Sequence, residues 1–150
     1  MAMPVGSLAA DDRLAIAALL TEFYWHLDHP EEGSVADLFT ADGTIVTARF
    51  QLAGREAIAQ WFAGRPRRTT RHSCSNLRLT SSAEGGVVVD AYLTTAAAPA
   101  STEGGGVAEL MIGETNDHVV RGETGIWLFT SRRLISVFEG RLVAGSGHRP

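Results

Sequence analysis

Cysteine is almost absent from this sequence: Cys74 stands alone. An internal disulfide is therefore excluded, and the redox compartment is only weakly indicated. Long apolar runs are missing too, none approaching the roughly 20 residues that a bilayer-spanning helix needs. Residues 1–10 lack the basic n-region and apolar h-region of a signal peptide. The expectation is a cytoplasmic protein with no membrane partner. Positive charge is not in excess, since 13 Lys and Arg face 17 Asp and Glu for a formal net charge of −4. That balance gives no footprint for nucleic acid, and no nucleic-acid partner is expected. No glycine-rich phosphate loop follows a strand and opens a helix, so no nucleotide, and no cofactor of any kind, is expected. No internal repeat is present.

What is there has the proportions of one globular domain: 150 residues, 45% apolar and 20% charged. Ile16, Leu19, Leu20, Phe23 and Leu27 fall at i, i+3, i+4, i+7 and i+11, one stripe of an amphipathic helix over residues 11–28. Asp11 and Asp12 suit the positive end of its dipole, Ser7 is a candidate cap, and Pro30 stops it. Ser34 with Asp37 resembles a capping box opening a short second helix through Leu38 and Phe39. Asp42-Gly43 reads as a turn and Thr44–Phe50 as a strand. A third helix is expected from Arg55 to about Ala63, ended by Gly64 and Pro66.

The period then changes to two. Arg71–Thr80, Val87–Thr95, Val107–Val120 and Ile126–Phe138 read as strands divided by glycine-rich turns. Ala96–Gly106 has no apolar periodicity and reads as a mobile loop. The domain is placed at residues 11–139, between a flexible N-terminus (1–10) and a C-terminal tail (140–150). Helices first, then antiparallel strands, specify an α+β class rather than a wound parallel sheet. A curved sheet closed on one side by the long helix leaves a cavity at its open end.

Four stretches carry a family resemblance: Phe23-Tyr24-Trp25-His26-Leu27-Asp28; Leu38-Phe39-Thr40-Ala41-Asp42-Gly43 with Gly54-Arg55-Glu56-Ala57-Ile58; Thr70-Arg71-His72-Ser73-Cys74-Ser75-Asn76; and Asn116-Asp117-His118-Val119-Val120-Arg121 with Gly125-Ile126-Trp127 and Arg132 or Arg133. In order and spacing they resemble the SnoaL-like branch of the nuclear transport factor 2-like superfamily. The resemblance implies a cone-shaped α+β barrel, with three N-terminal helices packed on a strongly curved, mostly antiparallel sheet that encloses a pocket. It also implies a homodimer or higher homo-oligomer. The fold hosts dehydratases, isomerases, cyclases and binding modules, so function has to come from the site.

Tyr24 and Asp28 stand one turn apart at the flank of the apolar stripe. A carboxylate there is partly desolvated and suited to act as a base or to orient a hydrogen bond. The plain alternative is a helix-end cap or ion pair. His72 opens a strand, and strict alternation puts Cys74, Asn76 and Arg78 on its face and Leu77 and Leu79 on the other. In similar dehydratases a helix-1 carboxylate orients a strand histidine that moves the proton, and the resemblance places those roles on Asp28 and His72. Tyr24 and Asn76 are then candidates to bind a substrate oxygen. Fungal scytalone dehydratases use a second histidine on the next strand. Here Val87–Thr94 contains none, and Asp90 and Tyr92, which share a face, are the candidates for that place. The ketosteroid isomerase pattern does not fit, since Arg49–Leu52 carries no base carboxylate.

Arg49, Arg132 and Arg133 are candidate cations for an anionic or enolising substrate, with surface ion pairing as the alternative. Arg65, Arg67, Arg68 and Arg71 read as a solvated basic loop. His26, Asp28 and His29 have no metal-ligand spacing, so no metal is expected. Cys74 reads as a small core or pocket residue rather than a nucleophile. The function expected is a cofactor-independent dehydratase, isomerase or cyclase acting on a small, apolar, oxygenated ring. The alternative is a small-ligand-binding or dimerisation module without chemistry. Contact or separation of Asp28 and His72 distinguishes the two.

Overall fold

The computed structural model describes residues 8–99 and 107–143. Helix α1 (Ala10–Asp28) buries Ile16, Leu19, Leu20, Phe23 and Tyr24, the stripe expected from periodicity with Tyr24 added and Leu27 only half-buried. No side chain caps its N-terminus at Ala9, and the candidate cap Ser7 lies outside the described residues. Asp12 instead ties the first turn to the sheet by accepting from Trp127 Nε1 at 3.3 Å and from Arg121. The second helix is only a 3₁₀ turn at Val35–Leu38, with Ser34 Oγ accepting from the Ala36 amide. Helix α2 (Arg55–Ala63) follows as expected. Two helices and one 3₁₀ turn therefore replace the expected three helices.

Six strands form one mostly antiparallel, curved sheet. They are β1 (Phe39–Val46), β2 (Gln51–Ala53), β3 (Arg68–Ser81), β4 (Val87–Pro99), β5 (Val107–Arg121) and β6 (Trp127–Val143). Their order is β2-β1-β6-β5-β4-β3, and only β1 with β6 is parallel. The sheet is not closed, because β2 and β3 end it on opposite edges. Between α1 and the inner face lies an aromatic core in which the Phe23 ring stands 5.7 Å from Phe129 and 6.1 Å from Phe39.

Several expected boundaries move. Asp42-Gly43 is not a turn but an irregular stretch within β1, where Gly43 lies buried and a Cβ would come 2.8 Å from the Phe39 ring. The turn falls at residues 47–50, where Thr47 Oγ1 accepts from the Arg49 and Phe50 amides, so the strand expected at 44–50 ends at Val46. Residues 96–99 belong to β4, pairing Ala96 with Arg71 and Pro99 with Arg68. Four small residues give no periodic signal, which hid this strand extension. Residues 100–106 of the expected loop, and 144–150 of the tail, lie outside the described residues, while residues 140–143, expected as tail, continue β6. Arg68 and Arg71 are consequently strand residues, not loop residues.

Two irregularities in register set which side chains face α1. On β3, pairing with β4 shifts between Ser75 and Arg78, and Asn76 takes φ 56°. Inward residues before the shift are even-numbered (Thr70, His72, Cys74), and after it odd-numbered (Leu77, Leu79). On the β5–β6 pair, register shifts at His118/Val119, so that Phe129 and Arg132, three apart, are both buried. A bulge inserts one residue and reverses the parity of everything beyond it. The outer face carries exposed Tyr92, Ile112, Ile135, Val137 and Phe138.

Asparagine tolerates the left-handed backbone at position 76, and a β-branched residue does not. Asn76→Val is expected to cost about 1–2 kcal/mol in urea unfolding, whereas Asn76→Gly stays within about 0.5 kcal/mol of the parent. A valine variant as stable as the parent would show that the bulge is not held at Asn76.

Candidate active site

The last residue of α1 meets the start of β3. Asp28 accepts three hydrogen bonds from that strand: Thr70 Oγ1 to Oδ1 at 2.7 Å, the His72 amide to Oδ2 at 2.9 Å, and His72 Nδ1 to Oδ1 at 2.7 Å. Both side chains are nearly buried, 8% exposed for Asp28 and 9% for His72. A carboxylate has no proton to donate, so the shared proton sits on Nδ1 and Nε2 of a neutral ring keeps its lone pair. Among the described residues Nε2 makes no hydrogen bond. The His72 pKa is held below its ordinary 6.5. Burial is the main cause and outweighs the hydrogen bond and charge of Asp28, while Arg65 and Arg132 add to the lowering.

Beside this pair lies a second buried group. The Tyr24 ring stacks near His72, with centroids 5.5 Å apart and planes at 21°. Its hydroxyl accepts from Arg132 Nη2 at 2.9 Å. Arg132 is gripped by Asp117, Nε to Oδ1 at 2.9 Å and Nη2 to Oδ2 at 2.8 Å, a two-pronged pair across β5 and β6. Its guanidinium carbon sits 3.9 Å from the Phe23 ring centroid and 4.4 Å from that of Phe129. Burial alone would disfavour the Arg132 charge, but Asp117 and Tyr24 more than offset it and the group stays cationic. Burial pushes the Tyr24 hydroxyl up to about 12, with Arg132 pulling the other way, so it stays protonated and can donate. Arg132 Nη1, Thr95 Oγ1 and Thr115 Oγ1 are buried and find no partner among the described residues. Thr95 is the register partner of His72.

Four of the candidate residues stand elsewhere. Asn76 is exposed at the bulge, off the His72 face. Asp90 and Tyr92 point to the outer side, because Val89, Ala91 and Leu93 take the inner one. There Asp90 accepts from Asn116 Nδ2 at 2.7 Å and pairs with Arg78 at 3.5 Å, and Tyr92 is 54% exposed. Arg49 is an exposed turn residue 3.8 Å from Glu139. These residues do not supply the place of a second histidine. Arg133 is exposed, and Arg132 is the arginine turned inward. Asp117 was not singled out from the sequence, although it alternates with buried Thr115 and Val119 and so had a parity signal. Burial pushes the Cys74 thiol up to about 11, which leaves it a poor nucleophile. Trp25 lies outside, stacked on His29 at 4.1 Å with Nε1 donating to Glu32, and Trp61 packs on Phe50. Among the described residues no group of three His, Cys, Asp or Glu side chains could hold a metal ion.

Residues 9–133 match the SnoaL-like domain family. The chain belongs to that family. Solved structures of similar shape include a candidate scytalone dehydratase from Novosphingobium aromaticivorans, 24% identical over 93% of this chain and 95% of that one, TM-score 0.73. A hexachlorocyclohexane dehydrochlorinase, LinA type 2, is 19% identical over 93% and 94% of the two chains, TM-score 0.76. ActVI-ORFA of Streptomyces coelicolor is 18% identical over 85% of this chain and 98% of its own, TM-score 0.72. At these identities the likeness establishes the SnoaL-like fold and nothing finer. No curated protein is significantly similar to the chain.

The lowered His72 pKa has a sign. Between pH 6.5 and the lower folded value, the unfolded imidazole is protonated while the folded one is not, so stability falls as pH drops through this window. Above pH 6.5 the contribution is fully present. Urea unfolding of the parent between pH 8 and about pH 5 is expected to lose stability relative to His72→Gln. A parent that gains stability relative to this variant on acidification would contradict a depressed pKa.

Proposed function

We propose that this SnoaL-like protein is a cofactor-independent proton-transfer enzyme, a lyase or isomerase acting on a small, apolar, oxygenated ring. His72 Nε2 takes a proton from carbon. Asp28 fixes the ring tautomer and steadies the imidazolium that forms. The Tyr24 hydroxyl, whose oxygen already accepts from Arg132, donates its proton to the substrate oxygen as negative charge develops there. Arg132 acts through that bond as a positioning and charge-stabilising residue. The proton taken by His72 returns to a different carbon in an isomerisation, or to the departing oxygen in a dehydration.

The observation that carries this reading is the direct 2.7 Å contact between Asp28 and His72 Nδ1, which leaves Nε2 as the basic atom. The pKa direction agrees, since a neutral imidazole at neutral pH is ready to accept a proton. Two of the structural relatives bear names, dehydratase and dehydrochlorinase, that describe eliminations, in which a proton leaves together with a leaving group. The sequence contains no lysine, so a Schiff base on a lysine amine is not open to this chain.

The test is deuterium exchange from D2O, or water loss, with a panel of small cyclic β-hydroxyketones followed by proton NMR. His72→Ala and Asp28→Asn are each expected to lower the rate by about 10²–10⁴-fold in protein that still unfolds cooperatively, at a melting temperature lowered by the lost buried hydrogen bonds. A variant of either residue that keeps parental turnover would remove that residue from the mechanism.

A further inference from the structure

The last turn of α1, the segment after it, the end of α2 and the start of β3 surround a cleft of about 620 Å³. Asp28 and Thr70 lie on its wall, so it adjoins the proposed proton-transfer pair on its Asp28 side, while His72 itself does not line it. Four arginines line it as well: Arg65, Arg67, Arg68 and Arg71. In a chain of net charge −4 this is a local reversal of sign. The acids on the same wall are Asp28 and Glu31. Asp28 offers little repulsion to an incoming anion, because its two oxygens take three donors and its side chain is 8% exposed.

The arginines are not evenly neutralised. Arg68 is held by Glu109 at 2.6 Å. Arg71 Nη1 donates to the Thr70 carbonyl at 2.6 Å, a contact that leaves its charge uncompensated. Among the described residues Arg65, Arg67 and Arg71 form no ion pair. Arg65 is held in place by aromatic faces, its guanidinium carbon 5.2 Å from the ring centroids of both Trp61 and Phe62. Burial and the neighbouring charge of Arg68 both work against its cationic form. The half-buried guanidinium of Arg65, without a counter-ion, is an unfavourable arrangement that a bound anion relieves, and the exposed Arg67 and Arg71 stand beside it.

We infer that this cleft receives the acidic group, a carboxylate or phosphate, of a small ring substrate. The planar forks of Arg65 and Arg71 suit two-pronged binding of such a group. The apolar walls from Leu27, Ala59 and Phe62 suit the adjoining ring. The placement of the ring's reacting carbon toward His72 rests on the proton-transfer reading; recognition of the anion does not. The substrate class thus narrows from an apolar ring to an apolar ring acid.

Three probes that differ in one group test this: 2-naphthoate, 2-naphthyl phosphate and methyl 2-naphthoate, titrated against the full chain by NMR. At least one anion is expected to bind about tenfold tighter than the ester or better, and the preferred anion identifies the group. The preference should shrink as salt rises. It should fall to about threefold or less in the Arg65→Gln/Arg67→Gln/Arg71→Gln variant, and fall measurably in Arg67→Gln alone, where an exposed side chain leaves the fold intact. Ester binding equal to both anions, no saturable binding of any probe, or an undiminished preference in both variants would overturn the inference. Anion preference retained in His72→Ala, with no turnover by the parent, would reject the proton-transfer reading and leave the anion cleft standing.

Discussion

Asp28 ends its helix where a negative charge is least welcome, at the carbonyl end of the dipole. Three donors from β3 answer that charge, and the arrangement of the site follows from this one tie. It joins the end of α1 to a strand more than forty residues away and fixes the height of α1 over the sheet. It brings Tyr24, one turn earlier, against the His72 ring. It also sets the protonation pattern of the imidazole, because a carboxylate can only accept. Structure and chemistry here share the same hydrogen bonds.

A second constraint lies one layer deeper. Asp117 and Arg132 form an ion pair that is almost fully buried, between the rings of Phe23 and Phe129. Breaking such a pair by removing one partner typically costs about 3–5 kcal/mol, because a bare charge is left behind. Well-packed apolar residues could fill the same volume, so stability alone does not account for a guanidinium there. Its bond to the Tyr24 hydroxyl gives it a place in the proposed mechanism. The pair polarises a donor beside His72, and burial keeps that donor protonated against the pull of Arg132. A buried base and a buried acid side by side are what a proton transfer from carbon to oxygen requires.

The fold was largely legible in the sequence, and the site only in part. The α1 stripe from Ile16 to Leu27 and the change of period after Gly64 rest on patterns that hydrophobic burial imposes directly. The Asp28–His72 contact was reachable because both residues lie in uninterrupted segments, where spacing translates into facing. Asn76, Asp90 and Tyr92 were placed by counting in twos, and counting fails at a bulge or gives no choice between two faces. The shift at Asn76 turned that residue outward while keeping His72 and Cys74 inward. The shift opposite His118 decided between Arg132 and Arg133, which no local pattern separates. Asp117 was hidden for another reason: charged residues are rarely buried, so a parity signal at an aspartate is easily set aside. Residues 96–99 were lost to alanine, which carries too little hydrophobic contrast to show a period.

Asp28 is expected to hold His72 as the tautomer protonated at Nδ1, leaving Nε2 as the base. Nitrogen-15 NMR of the histidine-labelled protein at neutral pH reads this directly, with His72→Gln used to assign the signal. A pyrrole-type shift is expected for Nδ1 and a pyridine-type shift for Nε2. The same shifts should be scrambled or reversed in Asp28→Ala. A His72 ring protonated at Nε2 in the parent, or charged at both nitrogens at pH 7, would contradict it.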